Sequence, residues 1–155
     1  MKLTDLRDTF AIDDFDSVDT AIMRVVAPGG AETLASITFA GPAHELTRAQ
    51  SKRMNDLRLY QSTRPRSLRQ VEVENVLFIV ERIVTWSGIK RRDGDELVEV
   101  PFSREAATAL LIDPRKGWLF AQCLEFLAAP GSFLPASDSD AAAAACDLPL
   151  LASAN

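Results

Sequence analysis

The strongest hydrophobic pattern in the chain is the run LRQVEVENVLFIVERIVTW, residues 68–86. On a helical wheel, Leu68, Val73, Val76, Leu77, Ile79, Val80, Ile83, Val84 and Trp86 span about half of the circumference. Gln70, Glu74, Asn75, Glu81, Arg82 and Thr85 fill the opposite half, which also holds Phe78 and Val71. Burying one large apolar side chain is worth roughly 1.5–3 kcal/mol. Left in water, this set would forfeit on the order of 10–20 kcal/mol, comparable to the stability of a whole domain. The pattern therefore predicts a central helix centred near Ile83. The β-branched residues in the run also suit a strand, but length and the wheel favour helix.

Upstream, TAIMRVVAPGGAETLASITFAGP places two β-branched runs around Pro28-Gly29-Gly30, with Gly41-Pro42 closing the second. That arrangement predicts a β-hairpin. In HELTRAQSKRMNDLRLYQS, Thr47 followed by Gln50 three residues later has the form of a capping box. Only Met54, Leu57 and Gln61 mark one side of this helix, so it is expected to be peripheral, and Pro65 breaks it. Downstream, Gly88 stands where the long helix needs a left-handed cap. Asp93-Gly94 predicts a hairpin turn returning through LVEV, and Ser103 caps REAATALLI, with Glu105 in its first turn. Asp113 and Pro114 open a further helix presenting Trp118, Leu119, Ala121, Leu124 and Leu127, and Pro130-Gly131 ends it.

The 155 residues fit one domain, and a composition 47% hydrophobic and 25% charged is that of an ordinary globular chain. The expected fold is α+β and helix-dominated: a domain over 19–135 with one or two β-hairpins, between a flexible acidic arm (1–18) and a flexible Ala-rich tail (136–155). No apolar run approaches the roughly 18 residues of a membrane span. The N-terminus MKLTDLRDTFAIDDFDSVD lacks the pattern of a secretory signal. Cys123 and Cys146 suggest no disulfide framework, so a reducing compartment is the default.

The net charge of −5 conceals an asymmetry. Asp5, Asp8, Asp13, Asp14, Asp16 and Asp19 make the first twenty residues acidic, whereas from Arg48 to Arg69 the cations Arg48, Lys52, Arg53, Arg58, Arg64, Arg66 and Arg69 are opposed only by Asp56. A basic block of this kind suits nucleic acid or an acidic protein face; it equally suits a solvated helix face, or one that neutralises the chain's own acidic arm. Reactive groups are sparse. His44 is the one histidine, and it precedes a helix with no nucleophile-elbow motif in the chain. The cysteines lack zinc-ligand spacing. Read as an EF-hand loop from Asp13 or Asp14, the acidic arm puts Val18 or Asp19 where glycine belongs and Arg24 or Val25 where glutamate belongs. APGGAE lacks the lysine and serine of a phosphate loop. No catalytic residue, metal ligand or cofactor is predicted.

The order ERIVTWSGIKRRDG, VEVPFSREAATALLIDP and the later Trp, Gln, Leu and Phe resembles the C-terminal half of small tailed-bacteriophage and prophage proteins, the tail assembly chaperones and minor tail components. The matching pieces are Val84-Thr85-Trp86-Ser87-Gly88, Asp93-Gly94, Pro101-Phe102-Ser103 with Glu105 and Ala106, Leu110-Leu111, Asp113-Pro114 and Phe133. AGPAHE after the first hairpin resembles the front half of such proteins. The likeness covers roughly residues 20–135; the acidic arm and the Ala-rich tail depart from it. It implies a non-catalytic assembly factor that binds the tape-measure protein or tail subunits, self-associating or not. Its place would be the bacterial host cytoplasm during assembly, or the virion if it is retained as a structural component. A nucleic-acid-binding accessory protein using the 48–69 segment is the alternative from a different class. The candidate partner-binding residues are Arg48, Lys52, Arg53, Arg58, Phe78, Phe133 and Leu134.

Overall fold

The computed structural model describes residues 11–60 and 65–135. Residues 1–10 of the expected 1–18 arm, Gln61 and Arg64, and the tail over 136–155 with Cys146, lie outside the described residues. Ser17–Phe133 forms one compact unit, against the expected 19–135. A short 3-10 turn, Ile12–Phe15, precedes it.

The hairpin around Pro28-Gly29-Gly30 forms strands β1 (Thr20–Val26) and β2 (Glu32–Ala40), with both glycines at positive φ. A third strand, β3 (Ile83–Ser87), pairs antiparallel with β2, so β2 is central in a three-stranded sheet. Between β2 and β3 the chain makes helices α1 (Glu45–Tyr60) and α2 (Leu68–Val80). After β3, β4 (Lys90–Asp93) and β5 (Glu96–Glu99) make a separate two-stranded ribbon. Helices α3 (Arg104–Ile112) and α4 (Gly117–Ala128) complete the unit. The fold is α+β.

The expected helix over 68–86 is corrected here. Helix α2 ends at Val80, and the backbone turns through Glu81 and Arg82 into β3. Ile83, Val84, Thr85 and Trp86 are β-branched or aromatic, the side chains that fit a pleated, half-buried surface. Pairing Thr38 with Thr85 and Ile37 with Trp86 fills the ladder of β2. One run thus supplies two elements, and its apolar residues still converge on one core. Val76, Ile79 and Val80 come from the helix and Ile83 and Trp86 from the strand. Leu68, the first residue of α2, is 77% exposed and takes no part in that core.

The sheet alternates as a one-sided antiparallel sheet should. Met23 and Val25 on β1 and Ile37 and Phe39 on β2 are buried against α2, α3 and α4, while Ile22, Arg24, Leu34, Thr85 and Ser87 face solvent. Phe39 is fully buried and its ring stacks on Phe126 at 5.5 Å. From α4, Gln122 accepts a hydrogen bond from the Val26 amide at 3.1 Å and donates to the Val26 carbonyl at 3.3 Å. This satisfies backbone at the bulged end of an edge strand. The core face of α4 is Leu119 and Cys123, with Phe120, Phe126 and Leu127 beside them, whereas Trp118 and Leu124 are 40% and 42% exposed. Leu119, Cys123, Phe126 and Leu127 follow the i, i+4, i+7, i+8 spacing of a single helix face, and Trp118, Ala121 and Leu124 fall off it.

Some local signals are shifted by one to three residues. His44, not Thr47, caps α1: its Nδ1 accepts from the Leu46 amide at 3.1 Å, and its carbonyl accepts from the Arg48 amide at 3.0 Å. The complete capping box is Ser67 with Gln70 at the start of α2. Ser103 and Asp113 cap as expected, through the amides of Ala106 and Arg115. The ribbon turn is Gly94-Asp95 rather than Asp93-Gly94, because Asp93 pairs with Glu96 and Gly94 takes φ of 63°.

Candidate docking cleft between α1 and α2

Hydrogen bonds hold the first turns of α1 to the rest of the fold. Thr47 Oγ1 donates to the Ala40 carbonyl at 3.5 Å, and the buried Gln50 donates through Nε2 to the Phe78 carbonyl at 2.8 Å. That second bond satisfies a carbonyl near the C-terminal end of α2, which explains a buried glutamine on an otherwise polar helix. Beyond it, every residue from Ser51 to Leu59 is exposed. At 1.5 Å per residue this is about 13 Å of helix with exposed side chains, tied to α2 by the ion pair of Arg53 with Glu81.

This part of α1 and the outer face of α2 enclose a cleft of about 420 Å³. Met54 and Leu57 from α1 and Leu77 and Phe78 from α2 supply its apolar lining, and Arg53, Arg58, Arg66, Glu74 and Asn75 complete it. Arg53 pairs with Glu81 at 2.6 Å, and Arg66 pairs with Glu74. Three guanidinium groups against one carboxylate give the lining a positive balance. Arg58 has no carboxylate partner among the described residues.

Of the sequence candidates, the cleft brings together Arg53, Arg58 and Phe78. Arg48 and Lys52 lie on the opposite stripe of α1, since at 100° per residue they point away from Met54 and Leu57. The basic block is therefore not one continuous face. Phe133 is a core residue and not part of a docking surface, being only 5% exposed. Its ring meets Phe126 edge-on at 5.7 Å and lies 5.2 Å from the Arg82 guanidinium carbon, while its carbonyl accepts from the Val18 amide. Arg82 is itself buried, donates to the Ala40 carbonyl at 2.6 Å, and has its pKa lowered by desolvation. Leu134 is 40% exposed and does not line the cleft. Sequence reasoning did not single out Leu77 or Arg66 for this site. The available signal was the pair Met54 and Leu57, apolar residues at i and i+3 on a helix that offers them little to pack against.

Among the described residues, no group of three or more histidine, cysteine, aspartate or glutamate side chains is placed to hold a metal ion. No helix among them is long and apolar enough to cross a membrane. Compared with family models, curated proteins and solved structures, the chain matches none.

Proposed function

We propose that this chain is a non-catalytic assembly factor of a tailed phage or prophage, which holds an amphipathic helix of a tape-measure or tail protein in the α1–α2 cleft. The supporting observation is the cleft itself: an apolar floor between two helices, with arginines around it. Such a groove takes the apolar stripe of a helix, and its arginines favour acidic residues flanking that stripe. The link to tail assembly rests on the sequence resemblance. Leu57 and Phe78 carry the apolar contact, and Arg58 is the cation free to meet an acidic client.

Co-expression with the tail proteins of the same phage, followed by pull-down, tests the reading. Leu57→Asp and Phe78→Asp are expected to lose the tape-measure or tail subunit, whereas Arg48→Glu on the far stripe retains it. Equal retention by all three variants would refute the cleft. The protein content of purified particles separates a transient factor, absent from finished tails, from a structural component that stays.

A further inference from the structure

Helix α4 leaves an apolar face exposed on the side away from the core. Trp118, Ala121, Leu124 and Glu125 are exposed, and Ala128 continues the same face toward the end of the helix. Leu119 and Cys123 fix the buried side, and Ala121 stands opposite them on the outermost ridge. Trp118 and Leu124 lie three residues before and three after Ala121, which sets them roughly 60° to either side of that ridge. Two large apolar side chains thus flank a small residue at equal rise and opposite angle.

That pattern is its own complement under a two-fold rotation. An axis through Ala121, perpendicular to the helix, carries Trp118 onto the Leu124 position of a second copy and Leu124 onto its Trp118 position. Ala121 adds no bulk at the crossing, so the two backbones can approach closely. Glu125 is the only charged residue of α4 and has no cationic partner among the described residues. The same rotation sets it beside Gly117 of the second copy, the residue that follows Arg115 and Lys116. A parallel pair would instead set Glu125 against Glu125 and align the two helix dipoles. We propose that α4 is the contact between two copies of this chain, packed as an antiparallel helix pair that crosses at Ala121. One helix face falls well short of the roughly 800 Å² per partner of a stable interface, so the pair is weak and depends on concentration. Trp118, Ala121 and Leu124 do not line the α1–α2 cleft, so pairing and docking do not compete.

Sedimentation equilibrium and cysteine trapping test this on the full-length chain. Wild type is expected to move from monomer toward dimer as concentration rises. Trp118→Arg and Leu124→Arg should each weaken the dimer about tenfold or more while the thermal transition persists, and Glu125→Lys should weaken it less. For trapping, Cys146→Ser is the background and the buried Cys123 stays in place. Ala121→Cys, on the axis, should link to itself under mild oxidation, whereas Glu105→Cys, exposed on α3, should not. Trp118→Cys should link to Leu124→Cys when the two are mixed, and little to itself. A chain that stays monomeric at every concentration, with no bridge from position 121 beyond that of the Glu105→Cys control, overturns the proposal. So does Trp118→Cys linking to itself in preference to Leu124→Cys. With Cys146 retained, a bridge from position 121 to Cys146 within one chain would show the tail on this face instead, and overturns it too.

Discussion

Gly88→Ala separates the observed fold from a helix running through Trp86. Gly88 has φ of 72°, and a Cβ there would stand 2.7 Å from the Leu34 carbonyl oxygen and 3.0 Å from the Ala35 Cα. Both are backbone atoms of β2, so relief requires moving a strand. Left-handed backbone costs a non-glycine residue roughly 1–2 kcal/mol, partly offset by about 0.4–1 kcal/mol from a stiffer unfolded chain. Overpacking adds roughly 1–3 kcal/mol, for a total near 3 kcal/mol. Gly94→Ala is the internal control, with φ of 63° and nothing within 4 Å of its added Cβ. It carries the conformational cost alone, about 1 kcal/mol or less. Urea denaturation of both variants gives the difference directly, and thermal melts should separate them by roughly 8 °C at about 4 °C per kcal/mol. A Gly88 that merely capped a helix would meet no strand and behave like Gly94. Equal destabilisation of the two variants would refute the pairing of β3 with β2.

The remaining predictions concern the core, the buried thiol and one cap. Phe39→Ala empties the centre of the sheet beneath Phe126 and is expected to cost about 3–5 kcal/mol by urea denaturation; a loss below 1 kcal/mol would show that Phe39 does not anchor the core. Burial pushes the Cys123 thiol up to about 12. In the Cys146→Ser chain it should resist alkylation until unfolding, and its contribution to stability should fall as pH rises from the ordinary thiol range toward that value. Native-state labelling as fast as that of the unfolded chain would contradict this. The Arg115 side chain, with Lys116 and the Arg115 amide, holds the Asp113 carboxyl well below the usual range. A lowered carboxylate pKa stabilises above the ordinary value and loses that effect as acid protonates it. The stability gap between wild type and Asp113→Asn should thus shrink on acidification, and a gap independent of pH would refute the role.

Punctuated elements were legible in the sequence. Pro28-Gly29-Gly30, Pro65, Ser103 and Asp113-Pro114 each constrain φ or supply a backbone acceptor, and each marks a boundary in the structure. The switch from α2 to β3 has no such mark, since no glycine or proline stands between Val80 and Ile83. Valines and isoleucines spaced for a buried helix also fit a strand, and the partner that decides the matter, β2, lies over forty residues upstream. The cleft was half legible. Composition exposed the basic block, but which arginines face the apolar lining depends on how α1 is seated through Gln50. That seat is set by a hydrogen bond to Phe78 which no local pattern announces.

Site-specific photo-cross-linking in cells assembling the tails addresses the docking claim most directly. A photoreactive residue at Leu57, facing the cleft, is compared with one at Arg48 on the opposite stripe. The account predicts an adduct with the tape-measure or tail protein from position 57 and little from position 48. Equal adducts from both positions, or none from position 57 while tails still form, would contradict it.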